Sequence, residues 1–307
     1  MTASIATTSA PPPGFVVAPQ LPDLLLPVKV RRGVTGFLRN HPTVAIGGAL
    51  LLCLVLIGVL APYLGTVDPT AIAPAKRTRA PSADFWFGTD ALGRDIYSRV
   101  LYGTRVSLTV GLSVAVFASF AGLAIGLVAG FVRWADGVLM RFMDGLMSIP
   151  PILLAIALMA LTKGSVGNVI LAITIAEIPR VARLVRGVVL SLREQPYVDA
   201  AVTSGTGTPM VILRHILPNT LAPMLVQATY ICASAMITEA ILSFIGAGTP
   251  PTIPSWGNIM AEGRALWQVK PYIVFFPAAF LSVTVLAVNL VGDGLRDALD
   301  PRMAKTP

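Results

Sequence analysis

Charge is scarce in this sequence. Asp, Glu, Lys and Arg make up 12% of its 307 residues and hydrophobic residues 55%. That is about half the charge share of an ordinary soluble domain. A chain with so little polar surface cannot cover its apolar content in water, which excludes a soluble enzyme and a disordered protein. Cysteine is nearly absent too. Cys53 and Cys232 both lie inside long apolar runs, where they act as small hydrophobes, so a disulfide scaffold is excluded. His41 and His215 are the two histidines, too few for a histidine metal cluster or a convergent catalytic set. The remaining charge is basic, with a net +8. In a chain this apolar, such residues flank membrane spans rather than contact nucleic acid. The composition is that of an all-α integral membrane protein.

A span needs about 20 predominantly apolar residues. Six windows meet this: 43–66, 106–132, 144–162, 167–187, 218–245 and 272–291. An even number places both termini on one side. The larger share of Lys and Arg falls on that side, which predicts cytoplasmic N- and C-termini. Residues 1–40, with Pro11, Pro12, Pro13, Pro19, Pro22 and Pro27, read as a mobile cytoplasmic tail. Lys29, Arg31, Arg32 and Arg39 come too late for a secretory signal and fit an uncleaved first helix. Residues 41–84 hold that helix and an outer loop, 106–291 the core, and 292–307 a cytoplasmic C-terminal tail. Gly122, Gly126 and Gly130 form a small-residue row on one helix face, which lets another helix approach closely.

Two segments between spans carry more information. In 85–105, Gly88 and Gly93 stand at phosphate-loop spacing, but Arg94 and Asp95 follow where Lys and Ser/Thr are required, so no nucleotide site is expected. The pattern predicts instead an outer interfacial helix with Asp90 as N-cap. Leu92, Ile96, Val100 and Leu101 would form its apolar stripe, opposite Arg94, Asp95, Ser98 and Arg99. The second segment, about 187–217, is too long for a plain connection. Pro196 can start a short helix, Gly205 and Gly207 can end it, and Thr208-Pro209 can begin another that runs to Arg214. Such an elbow beneath the membrane is a place to bind something.

Asp199-Ala200-Ala201, then Gly205, then Leu217-Pro218 resembles the Glu-Ala-Ala…Gly…Ile-x-Leu-Pro signature of ABC importer permeases. Asp199 replaces the usual Glu, and His215 stands at the usual Ile. Segment 85–108, the run from Glu239 to Gly248, Pro254-Ser255-Trp256-Gly257 and the run from Asn289 to Pro301 are similar to the dipeptide/oligopeptide/nickel branch, in its order and spacing. The resemblance implies a C-type permease subunit with the six-helix type I importer fold, in a bacterial plasma (inner) membrane. It also implies partners: a homologous second permease, two ATPase subunits, an extracytoplasmic binding protein, membrane lipid and a peptide substrate. This chain would bind no cofactor, with ATP and Mg on the ATPases. Asp199, Ala200, Ala201, Gly205, Leu217 and Pro218 would form the ATPase-coupling elbow.

Intramembrane carboxylates are costly and therefore candidates for function. Glu239 lies toward the outer end of the fifth window, where it could line a gate or cap a helix turn, with Met236 beside it. Glu177 can pair with Arg180 one turn on. Nickel chelates, haem or another small ligand remain alternative cargo. A secondary transporter would require inverted repeats with matching broken helices.

Overall fold

The computed structural model describes residues 34–299, and every regular element among them is a helix. The Pro-rich stretch with Lys29, Arg31 and Arg32, and the end with Arg302 and Lys305, lie outside the described residues. Residues 34–40, expected within the tail, form α1 (Val34–Asn40), followed after His41 by α2 (Pro42–Leu60). Then come α3 (Ile96–Phe131), α4 (Arg133–Met147), α5 (Pro151–Ala160) and α6 (Val166–Arg193). The chain continues through α7 (Pro196–Thr203), α8 (Thr208–Val211), α9 (Leu217–Phe244), α10 (Trp256–Gly263) and α11 (Tyr272–Leu299).

Among the described residues, four runs are long and apolar enough to cross a membrane: Pro42–Tyr63, Ile96–Phe131, Thr208–Phe244 and Tyr272–Leu299. The expected 144–162 span is not straight. Ser148, Ile149 and Pro150 break it, and α4 and α5 meet at 87°. Pro150 and Pro151 explain the break, since neither can donate to a carbonyl four residues back. The fourth window falls on α6, whose 28 residues are long enough to span but carry Glu177, Arg180, Arg183 and Arg186. α11 runs to Leu299, so 292–299 is helix rather than tail.

α3 and α6 form the centre of the bundle, and small residues set their distance. Gly122, Gly126 and Gly130 on α3 meet Val181, Val185 and Val189 on α6, each pair four residues from the next. A Cβ at Gly126 or Gly130 would stand 2.6 or 2.7 Å from the facing valine Cβ. The close approach expected of this row therefore has a named partner surface. α2 and α11 pack the same way, through Gly47 against Leu290 and Gly294 against Val44.

Candidate functional site

At one end of the bundle, α7 protrudes between α6 and α8. Val198 is buried against the core and Ala201 half-buried, while Tyr197, Asp199, Ala200 and Val202 face out. Asp199 has no ionic partner among the described residues. Gly205 ends the helix at φ +81°, its N–H bonding Val202 O (3.0 Å) and the Thr206 N–H bonding Ala201 O (3.1 Å). This is the Schellman arrangement, whose left-handed residue is most easily glycine. Arg193, instead of holding α7, donates to Gly130 O and lies over the Phe131 ring.

The second short helix of the elbow is not separate. α8 begins at Thr208 with Gly207 at the N-cap and passes through a π turn, Ile212–Ile216, directly into α9. Pro218 accounts for the turn. It has no N–H for the Arg214 carbonyl, so the register widens just before it, and Leu217 N–H reaches Ile212 O. The Asn219 side chain donates to His215 O (2.7 Å). α8 and α9 are thus one continuous helical run, with Leu217 half-buried and Pro218 exposed at the joint, and α7 joins it through the 204–207 turn.

Farther along that run is an open groove of about 330 Å³ between α5, α6, α9 and α11. Its polar groups are Glu177 and Arg180 from α6, Tyr230, Ser234 and Thr238 from α9, and Asn289 from α11. Glu177 and Arg180 pair, with Nη1 to Oε2 3.2 Å, as their spacing predicts. The guanidinium also lies 5.7 Å from the Tyr230 ring centre. Sequence reasoning missed the α9 residues. The available signal is Tyr230, Ser234 and Thr238 at four-residue spacing, one stripe along a helix that also carries Gln227, Thr229, Glu239 and Ser243.

Glu239 and Met236 are not on this groove. Both are fully buried, so neither lines a pathway in this conformation. Met236 packs over Gly111 in the core. Glu239 accepts from Ser243 Oγ (2.8 Å), which also accepts from Thr249 N–H (3.2 Å). Asn258 donates to the Thr249, Pro250 and Ile253 carbonyls and to Thr249 Oγ1. Glu239 therefore belongs to a polar cluster that ties the 246–255 loop to α9 and α10.

Segment 85–105 also departs from expectation. Asp95, not Asp90, is the N-cap, accepting from Ser98 N–H (2.8 Å), and the helix it starts is α3 itself. The Asp90 carboxylate is already committed. One oxygen accepts the Leu92 and Arg94 amides, and the other accepts Arg94 Nε (2.7 Å) and Arg99 Nη1 (2.6 Å). Both arginines also pair with Glu262 on α10. Arg94 and Arg99, expected on a solvated face, are thus buried in a four-member ionic cluster. Gly93 forms the turn inside it. Trp256 donates to Val100 O (3.0 Å) and is fully buried between α3 and α10, not on a surface.

Residues 122–305 match the family model described as the binding-protein-dependent transport system inner membrane component. The chain belongs to this family. A probable peptide ABC transporter permease of Sinorhizobium fredii is 54% identical over 265 residues, covering 86% of this chain and 90% of its own. The dipeptide transport system permease of Alkalihalophilus pseudofirmus is 40% identical over 87% of this chain and 88% of its own. Among solved structures, an inward-facing methionine ABC transporter superposes with a TM-score of 0.55 at 18% identity, over 66% of this chain and 96% of that one. At that identity the likeness speaks for the fold alone. As an inner membrane component of such a system, the protein is a multi-pass membrane protein. Elbow and groove both fall within the matched residues.

Proposed function

We propose that this chain is the C-type permease subunit of an ATP-driven peptide importer, forming half of the pathway beside a homologous second permease. Two ATPase subunits dock on the coupling elbows of the two permeases, one of them at this chain's elbow, and hydrolyse ATP with Mg, while an extracytoplasmic binding protein delivers the peptide. This chain makes no covalent chemistry of its own. The reading places the elbow and both termini in the cytoplasm. Arg183, Arg186, Arg193 and Arg214, all close to the elbow, support that orientation.

The observation that carries the reading is the unbroken run from Thr208 to Phe244. A partner that moves α8, the part of the elbow within this run, moves the helix that presents Tyr230, Ser234 and Thr238 to the groove. The small exposed Ala200, the unpaired Asp199 and the apolar Tyr197, Val202, Met210 and Leu213 around them offer a docking surface. Asp199 supplies the charge that a basic partner residue would meet. The names of the relatives support peptide as the cargo.

The test is ATPase activity of the reconstituted complex, with and without binding protein plus dipeptide. Stimulation is expected, and Gly205→Leu is expected to abolish it while the complex still assembles. Nothing lies within 4 Å of a Cβ at Gly205, so the substitution strains only the backbone of the turn. Stimulation at the wild-type level in that variant would refute the elbow assignment. Failure to assemble with any ATPase would refute the importer reading.

A further inference from the structure

The coupling route from elbow to α9 makes no use of Glu177 and Arg180. Glu177 lies ~16 Å along α6 from Val166 and ~24 Å from Arg193, at the helical rise per residue, within the apolar window 167–187. Ionisable side chains inside membrane segments are costly, and such residues mark substrate pathways.

A pair that served only to neutralise itself would be hydrogen-bonded on both sides. This one is not. Glu177 is 3% exposed, yet its Oε2 makes no aligned hydrogen bond beyond the 3.2 Å ion-pair contact with Arg180, and its Oε1 has only Ser234 Oγ at 3.5 Å. Arg180 is 38% exposed and makes no hydrogen bond to a described residue, though a guanidinium carries five N–H donors. Acceptor capacity buried in the groove wall and donor capacity exposed in the groove therefore lie side by side. Its volume of about 330 Å³ is near the lower end of the ~300–1,000 Å³ range of small-molecule pockets.

We propose that this groove is a binding station for short zwitterionic peptides, with Glu177 taking the N-terminal ammonium and Arg180 the C-terminal carboxylate. The inference rests on the peptide-importer reading and names the contacts that select the substrate within it. Two extended residues span up to ~7 Å, so a dipeptide reaches both groups once the exposed Arg180 side chain swings aside. A long peptide engages one end only. Exchanging one ion pair for two similar ones leaves the net binding weak, as a conducting site requires.

The complete importer, with partner permease and ATPases, gives the test. Uptake of Ala-Ala is measured in proteoliposomes with binding protein. Direct binding of Ala-Ala, N-acetyl-Ala-Ala and Ala-Ala-amide is measured without it, which removes the binding protein's own selectivity. Wild type should bind Ala-Ala about tenfold better than either blocked form. Arg180→Gln should abolish discrimination against the amide only, and Glu177→Gln against the acetyl form only. Each should lower Ala-Ala uptake about tenfold. A purely structural ion pair would lower uptake without this split. Wild-type uptake with equal binding of all three probes, or variants with unaltered discrimination, overturns the station but leaves the importer reading. A wild-type complex that imports no peptide overturns both.

Discussion

Gly126 of α3 lies directly beneath Val185 of α6, with room for a hydrogen but not for a methyl group. The helices touch backbone to side chain along this row, and dispersion contacts of that kind drive association where no hydrophobic effect is available. Gly126→Ala should destabilise the bundle by about 1–3 kcal/mol. Val185→Ala in that background should cost less than it does alone. Unfolding of the four proteins in detergent tests this, and simple additivity would count against the close contact.

Asp90 holds two buried arginines, whereas Glu262 is partly open to solvent. Removing one member of a buried ionic group leaves an uncompensated charge and costs roughly 3–5 kcal/mol. Asp90→Asn should therefore lower the unfolding temperature more than Glu262→Gln. The reverse order in a thermal scan would show that Glu262 is the principal counter-charge.

Pro218→Ala restores the N–H that the Arg214 carbonyl lacks. The π turn should then tighten by one residue, rotating the elbow about the α9 axis by about 100°. Spin labels at Thr203 and Gly137, both exposed, would report the change as an altered distance distribution. An unchanged distribution would mean that the turn is held by packing rather than by the proline.

The Asn258 amide nitrogen lies within hydrogen-bond reach of three loop carbonyls, with two N–H groups to share among them. Pro250 O and Ile253 O keep the Ile253 and Ser255 amides, so Asn258→Leu should leave Thr249 O unpaired, at about 1–3 kcal/mol for a buried polar group. Hydrogen exchange should rise in 246–255 and not in α3 or α6. A rise across the whole bundle would mean that the loop is part of the core's cooperative unit.

Much of the helical plan is legible in the sequence because hydropathy and glycine spacing are local signals. The six windows fall on helices, and the glycine row of α3 announces a close neighbour. Pro196 and Gly205 bracket the elbow helix for equally local reasons. Tertiary choices are not local. Asp90 and Asp95 are equally good N-caps, and only Arg99 and Glu262, supplied from farther along the chain, decide between them. Met236 and Glu239 sit on the same helix as Ser234 and Thr238, one face buried and the other on the groove. A helix with almost no net amphipathic bias gives no sign of which is which. The break at Pro150 was visible as two prolines, but not its angle.

The cluster around Asp90 also has a history in time. Arg99 and Glu262 are separated by 163 residues. At ~5–20 residues per second of synthesis, Arg99 leaves the ribosome roughly 8 to 30 s before its second counter-ion exists. Through that interval Asp90 is the carboxylate within the same short segment that can accompany both arginines. The N-terminal end of α3 thus carries its own provisional neutraliser, and the arrival of α10 converts a local contact into the clasp that joins the first half of the chain to the last.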